Sequence, residues 1–239
     1  MRKIIFLLFV LCVADSTFSQ NNFKEVKTAQ DVIDNYITAI GGSEKLKKIK
    51  SETVNGKLKV HGVEGNFLFY TNDTIAFKMI DGKVQGKEML ILKSVTTKNY
   101  AWEYQTGATR DFEGEDLAKK SEELNSSSPG FYLNYNEKEY SSELKGTDTL
   151  NGKECYVIIF SKSGNELRTN YYSKETFYLI QTKRPNLIAT EYYDFKEVDG
   201  IVKPFRFIQK SETEIDFEIS EYNFNKPINN EILFKPDNK

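Results

Sequence analysis

The spacing of hydrophobic positions changes once along the chain. Near the beginning, apolar residues recur at intervals of three and four, which predicts one face of a helix: Val32, Ile33, Tyr36, Ile37 and Ile40. Thr28 and Asp31 stand just before this run with the spacing of a capping box. Gly41-Gly42 follows it, and glycine favours the left-handed conformation that ends helices. A second short helix is predicted from Ser43, with Leu46 and Ile49 facing inward.

From Glu52 onward the apolar spacing becomes two, which is typical of a strand with one wet face. The same alternation predicts further strands near 54–60, 66–70, 75–81, 88–95, 99–104, 143–149, 154–161, 166–173, 178–183, 189–197, 202–210 and 215–223. Asn151-Gly152 and Asp199-Gly200 are strong hairpin-turn dipeptides because both residues tolerate positive φ. A meander of about a dozen strands must bury one face by closing or half-closing into a barrel.

The segment from Glu113 to Tyr140 interrupts this alternation. Residues 115–124 are predicted to form a helix, and residues 125–130 form a loop that cannot continue it. The aromatic cluster that follows is too short to build a core of its own and must pack on another part of the chain: Phe131, Tyr132, Leu133 and Tyr135. Nothing in the sequence divides the β region, so we expect one domain.

The beginning of the chain predicts export. Arg2 and Lys3 precede the uncharged apolar run 4–13, and small residues follow up to Ser19, which is the order of a secretory signal peptide. We expect cleavage of residues 1–19, leaving 20–239 as a single domain. The run is too short to span a membrane, and no later stretch comes near that length. Cys12 lacks the small preceding residue of a lipidation site, so Cys155 is expected to be the lone cysteine, buried in an apolar strand.

Composition and motifs argue against catalysis and against nucleic acid. Lys and Arg number 33 against 35 Asp and Glu, for a net charge of −2, whereas phosphate binding needs a basic surface. His61 is the single histidine, so the chain lacks the ligands for a zinc site. A histidine-based triad would need His61 as its base, and no Gly-x-Ser-x-Gly motif supports one. Carboxylate pairs such as Asp111 with Glu113, or Glu191 with Asp194, look like surface charge. We therefore expect no enzyme activity, no metal and no cofactor.

Several strands are apolar in both phases, which indicates burial on both faces. Two interpretations remain open: helices cover one face of a barrel filled by its own side chains, or the concave face forms a ligand cavity. Under the second interpretation, the candidate lining residues are Phe67, Phe69, Phe77, Met79, Leu90, Leu92, Trp102, Tyr104 and Phe160.

Four stretches carry a resemblance to a known family: VIDNYITAIGG at 32–42, TKNYAW at 97–102, GTDTLNGKECY at 146–156 and YDFKEVDGIVKPF at 193–205. With the spacing between them, they resemble the LolA/LolB-like outer-membrane lipoprotein-sorting proteins, especially divergent bacteroidete-type members. The resemblance spans nearly the whole mature chain. Each stretch is a feature of the fold rather than an active-site motif.

The resemblance implies a mainly β fold with a few helices: a half-open antiparallel β-barrel of about eleven strands with a helical lid. It implies a monomeric carrier or binder in the periplasm of a Gram-negative bacterium, with a lipid or acylated lipoprotein as ligand and envelope transport proteins as partners. The alternative is a non-catalytic extracytoplasmic protein-interaction module with a self-filled barrel. A hydrolase working through carboxylates is a third hypothesis.

Overall fold

The computed structural model of the chain describes residues 23–127, 130–185 and 187–236. The predicted signal peptide lies outside these residues, as does Cys12. Cleavage after residue 19 and the domain boundary at residue 20 therefore stay predictions.

A single antiparallel sheet of thirteen strands forms the protein, in the order β6-β5-β4-β3-β2-β1-β13-β12-β11-β10-β9-β8-β7. The strands are β1 Ser51–Val60, β2 Val63–Asn72, β3 Ile75–Val84, β4 Lys87–Thr97, β5 Ala101–Gln105, β6 Ala108–Phe112, β7 Tyr140–Leu150, β8 Lys153–Lys162, β9 Asn165–Ser173, β10 Leu179–Arg184, β11 Leu187–Val198, β12 Ile201–Lys210 and β13 Glu214–Phe224. The helices are α1 Ala29–Ala39, α2 Ser43–Leu46, α3 Gly114–Ser127 and α4 Phe131–Asn134, with 3₁₀ turns at Tyr135–Lys138 and Asn230–Leu233.

The topology confirms the mainly antiparallel β fold with a few helices. Every strand pairs with its neighbour in sequence, except that β1 pairs with β13 and β6 does not pair with β7. The sheet is thus curved but not closed, and the segment containing α3 and α4 connects its two edges. The strand count of about eleven was too low, and the short strand β6 is one that the alternation did not predict.

The hairpin turns have the backbone conformation that their sequences predict. Asn151 and Gly152 have φ values of 51° and 78°, and Asp199 and Gly200 have 52° and 77°. Two successive residues with positive φ match the twist of the flanking strands. This geometry keeps each strand beside the one before it.

Helix α1 begins at the predicted capping box. The Thr28 hydroxyl accepts a hydrogen bond from the Asp31 amide at 3.2 Å, and the Asp31 carboxylate accepts one from the Thr28 amide at 2.8 Å. Val32 and Ile33 are fully buried on its apolar face. They pack with residues of α4, β8 and β9 in one hydrophobic cluster: Phe131, Tyr135, Ile158, Phe160 and Tyr172.

The convex face of β2 to β5 is covered by the C-terminal segment. Tyr70, Phe77, Val95 and Trp102 form a buried cluster there, joined by Ile228, Ile232 and Leu233 of the C-terminal segment. Two polar contacts fix the end of this segment: Lys93 donates to the Phe234 carbonyl at 2.8 Å, and Lys235 forms an ion pair with Asp111 at 2.6 Å. This cover explains why β2 and β4 of this group are apolar in both phases.

The turn after α1 contacts the β11–β12 hairpin. The Val202 amide donates to the Ile40 carbonyl at 3.0 Å, and the Lys45 ammonium donates to the Gly200 carbonyl at 3.2 Å. A Cβ on Gly41 would lie 2.4 Å from that same Gly200 oxygen. Two of the stretches that carry the family resemblance therefore meet here, and the contact requires a glycine.

Replacing Gly41 by alanine should destabilise the fold through this contact. Gly41 has φ +125°, and its Cβ would clash with backbone atoms that cannot swing away. We expect Gly41→Ala to lose about 2 kcal/mol or more of unfolding free energy, measured by urea denaturation. Gly42→Ala is the matched control, since Gly42 has φ +85° but nothing within 4 Å of the added methyl. Equal losses in the two variants would contradict a role for the Gly200 contact.

Candidate ligand-binding site

The concave face of the sheet is divided into a filled half and an open half. Over β7 to β10, helices α1 and α4 fill the concavity with the cluster around Phe131 and Phe160. Over β1 to β3, β12 and β13, strand side chains around Phe67 and Phe217 form a second cluster, to which none of the described helices contributes. Helix α3 lies across this second half, against β4 and β5.

A cavity of about 570 Å³ lies between the open half and α3. Apolar side chains of six strands contribute much of its wall: Val54, Phe69, Ile80, Leu92, Phe207, Ile215 and Phe217. All of these except Phe217 are only half-buried. The Phe207 and Phe217 rings stack at 4.4 Å between centroids, and Phe67 supports Phe69 from the same face at 4.8 Å.

A second cavity of about 300 Å³ adjoins the first, beneath α1 and α2. Its apolar wall includes Tyr36, Ile40, Leu46, Phe195 and Val202. Four residues line both cavities and so mark the junction between them: Glu52, Thr71, Arg184 and Tyr192. The two cavities together form an elongated concavity with a polar middle.

The lining also carries charged side chains, of which some are paired. Lys120 of α3 lies 3.8 Å from Glu103 of β5, and Glu52 forms a close ion pair with Lys203. The side chain of Lys78 in β3 has neither an ion pair nor a hydrogen bond with another described residue. In the sheet register it lies between Phe69 of β2 and Ser94 of β4, with its side chain on the concave face.

The surroundings of Lys78 disfavour its charged form. Its side chain is exposed to the solvent of the cavity, but protein atoms enclose the site. Because they displace water from around the ammonium group, burial lowers the pKa of Lys78, and the neighbouring cation Arg184 contributes in the same direction. Glu123 of α3 acts in the opposite direction.

Polar contacts, rather than a broad apolar face, hold α3 in place. Leu124 is its deeply buried apolar side chain. The Glu122 carboxylate accepts hydrogen bonds from the Tyr140 hydroxyl and, at 2.7 Å, from the Lys162 ammonium. Near the end of the helix, Arg168 donates to the Ser126 carbonyl at 2.9 Å. A helix attached in this way can leave the sheet without exposing a large apolar surface.

The structure brings some of the nine candidate lining residues together at the cavity and places the others elsewhere. Phe69, Phe77 and Leu92 border the larger cavity, although Phe77 is fully buried and shares the convex cluster with Trp102. Met79 and Tyr104 also pack in that convex cluster. Phe67 lies in the core beneath Phe69, and Phe160 lies under α1 and α4. Leu90 is half-buried near the β3–β4 turn, away from both cavities. Ligand contact by any of them stays a prediction.

Sequence reasoning missed the polar lining residues, above all Lys78, Thr71, Arg168 and Arg184. The strand alternation could have indicated that Lys78 faces the cavity, since Lys78 is two residues from both Ala76 and Ile80 and so shares their face of β3. A lysine in the phase of the concave side chains was not distinguished from one on a wet face. Arg168 was not singled out because Phe131, whose ring its guanidinium covers, is distant in sequence.

The remaining candidates for chemistry have structural partners. Glu191 is buried, which would raise its pKa, but hydrogen bonds from Lys210, Tyr193 and Gln181 hold the pKa of this carboxyl below its usual value. Cys155 is fully buried, as predicted, and its thiol donates to the Asp148 carbonyl at 3.2 Å. Within residues 23–127, 130–185 and 187–236, no group of three or more His, Cys, Asp or Glu side chains could hold a metal ion. None of the helices in these ranges is long and apolar enough to cross a membrane.

Removing the charge of Glu122 should loosen α3. A hydrogen bond to a charged group contributes about 1.5–3 kcal/mol, so we expect Glu122→Gln to raise amide hydrogen exchange across Gly114–Ser127 about tenfold or more. Exchange in the central strands should not change. Lys119→Gln, at an exposed position of the same helix, is the control. Unchanged exchange in Glu122→Gln would mean that apolar packing at Leu124 suffices to hold the helix.

Comparison with known proteins identifies the fold. No protein-family model matches the chain, and no curated protein matches it in sequence. Among solved structures, a DUF1329 family protein from Desulfovibrio piger is similar with a TM-score of 0.55 at 10% identity, over 87% of this chain and 98% of that one. A LolA superfamily protein from Nitrosomonas europaea is similar with a TM-score of 0.50 at 12% identity, over 88% and 99% of the two chains. The chain therefore has a LolA-like fold, as its sequence resemblance implied.

Proposed function

We propose that this protein is an exported, non-catalytic carrier or binder that holds the acyl chains of a lipid or of a lipidated protein. The observation that carries the proposal is the cavity of about 570 Å³ on the concave face. Its apolar wall is made by side chains that the protein itself leaves half-buried. An apolar ligand in that space would complete their burial.

The size and lining of the cavity suit this role. Cavities that bind small molecules are concave, mostly apolar and roughly 300–1,000 Å³ in volume. Each methylene group moved out of water contributes about 0.8 kcal/mol, so an alkyl chain against Phe69, Leu92 and Phe217 would gain substantial free energy. The gain needs no directional contact, which suits a carrier of varied acyl chains.

The attachment of α3 supports reversible access to the cavity. Lys120, Glu123 and Leu124 of this helix line the cavity, so movement of the helix would open it. Because polar contacts at Glu122 and Ser126 hold the helix, they can exchange for contacts with water at modest cost. The LolA-like fold and the predicted signal peptide agree with a carrier outside the cytoplasm.

Native mass spectrometry of protein purified from a bacterial periplasm, followed by lipid extraction, tests the proposal. A reproducible adduct of lipid or lipopeptide mass supports it. A bare mass that persists after incubation with acylated peptides overturns it and favours the protein-interaction module with its own side chains as filling. A stable complex with another envelope protein in place of a lipid would also favour the protein-interaction module.

A cavity-filling variant should separate specific uptake from adventitious adducts. Ala76 is a small, half-buried lining residue of the larger cavity, so Ala76→Trp should reduce the bound lipid fraction about tenfold or more by occupying the space. Ala108→Trp is the matched control because Ala108 is exposed on the edge strand β6. Thermal unfolding should verify that both variants fold. Equal lipid content in the two variants would place the lipid outside the cavity.

A further inference from the structure

The lining of the two adjoining cavities carries a net positive charge, unlike the chain as a whole. Five cationic side chains line them: Lys78, Lys120, Arg168, Arg184 and Lys203. Three carboxylates accompany these, namely Glu52, Glu103 and Glu123. The lining thus has an excess of two positive charges, whereas the whole chain has a net charge of −2. A cleft with low-dielectric walls focuses such a charge onto whatever enters it.

The excess is concentrated on side chains that lack partners. Lys120 and Lys203 are paired with Glu103 and Glu52. For Lys78 and Arg184, the described part of the chain provides neither an ion pair nor a side-chain hydrogen bond. Glu123 reaches Lys78 electrostatically from α3 without forming an ion pair with it. Lys78 and Arg184 both line the larger cavity, and Arg184 also lines the smaller one.

Polar atoms without partners occur at the same place. Thr71, at the junction of the cavities, has a buried hydroxyl oxygen with no hydrogen-bond partner. Arg168 is only 7% exposed and lines the smaller cavity, and its Nε and Nη2 atoms are also without partners. Its guanidinium lies over the Phe131 ring at 4.1 Å, so the aromatic face compensates only part of its charge. Buried polar groups are normally satisfied, so those beside a cavity are available to hydrogen-bond a polar atom that enters it.

We propose that the ligand is an anionic amphiphile whose acidic group, a phosphate, sulfonate or carboxylate, lies at the junction of the cavities between Lys78 and Arg184. Its hydrocarbon chain extends along the apolar wall formed by Phe69, Leu92 and Phe217. This inference rests on the proposed function and narrows it, from any lipidic ligand to one with a negative charge close to its acyl chain.

The charges and the apolar wall reinforce each other in this arrangement. Hydrogen bonds between charged groups are about twice as strong as those between neutral groups, and their strength increases where protein displaces water. A bound anion would also favour the charged form of Lys78, whose pKa burial lowers in the free protein. Neutral amphiphiles would fill the apolar wall but leave Lys78 and Arg184 without an ion-pair partner.

Isothermal titration of the purified, delipidated chain with matched single-chain ligands tests the inference. The ligands are dodecyl phosphate, the neutral glycerol monoester of dodecanoic acid, and inorganic phosphate. We expect dodecyl phosphate to bind about tenfold or more tightly than the neutral ester, and inorganic phosphate to bind far more weakly than either. Added salt should weaken the binding of dodecyl phosphate more than that of the ester.

Charge-removing variants locate the acidic group. Lys78→Gln and Arg184→Gln should each weaken dodecyl phosphate binding about tenfold while leaving the affinity for the neutral ester unchanged. Lys183→Gln is the control, because Lys183 is exposed next to Arg184, lies outside both cavities and donates to the Tyr171 hydroxyl at 3.1 Å. This control should bind both ligands as the unaltered protein does, and thermal unfolding should confirm that every variant folds.

The outcomes distinguish this inference from the proposed function. Equal affinities for dodecyl phosphate and the neutral ester would overturn the anionic specificity and leave the lipid-binding proposal intact. Failure of both ligands to bind would overturn the two proposals together. If inorganic phosphate bound as tightly as dodecyl phosphate, the site would be one for a free anion. That result would also overturn the proposal of an amphiphilic ligand.

Discussion

The need to cover both faces of one long antiparallel sheet determines the rest of this structure. Strands β2 and β4 are apolar in both phases, so each face must be removed from water. The C-terminal segment covers the convex face through Ile228, Ile232 and Leu233. On the concave face, α1 and α4 cover β7 to β10, and Ile40, Leu46 and Ile49 of the α1–α2 region pack on β12 and β13. The cavity lies where the described residues leave the concave face without such cover.

The pairing of β1 with β13 makes this arrangement possible. It joins the first and last strands of the sheet in sequence, while the edges β6 and β7 remain apart. Gly56 of β1 permits close approach at this seam, because a Cβ there would lie 2.1 Å from the Glu218 carbonyl oxygen and 2.9 Å from the Phe67 ring. The curvature that follows places Phe69, Phe207 and Phe217, which come from distant strands, around one space.

Much of the fold could be predicted from the sequence because strands joined by a short hairpin turn pair with each other. Alternation located twelve of the thirteen strands, and the dipeptides Asn151-Gly152 and Asp199-Gly200 marked their turns. The assignment of side chains to the cavity was harder, since a strand that is apolar in both phases does not indicate which phase faces inward. Trp102 and Met79 were candidates for that reason, and the structure places them under the C-terminal segment. That segment has too few apolar residues for a periodic pattern, so its covering role could not be predicted.

The polar middle of the concavity bears on what the space is for. If the cavity served only to complete a core, cations at Lys78, Arg168 and Arg184 would be costly, because charges removed from water need partners. Lys78 remains in contact with the solvent of the cavity, which limits this cost while the space is empty. A purely hydrocarbon ligand would displace that solvent and leave the charges uncompensated, whereas an acidic group would replace the water with a stronger partner. These cationic side chains, which water can solvate while the cavity is empty, would therefore disfavour the binding of a neutral ligand.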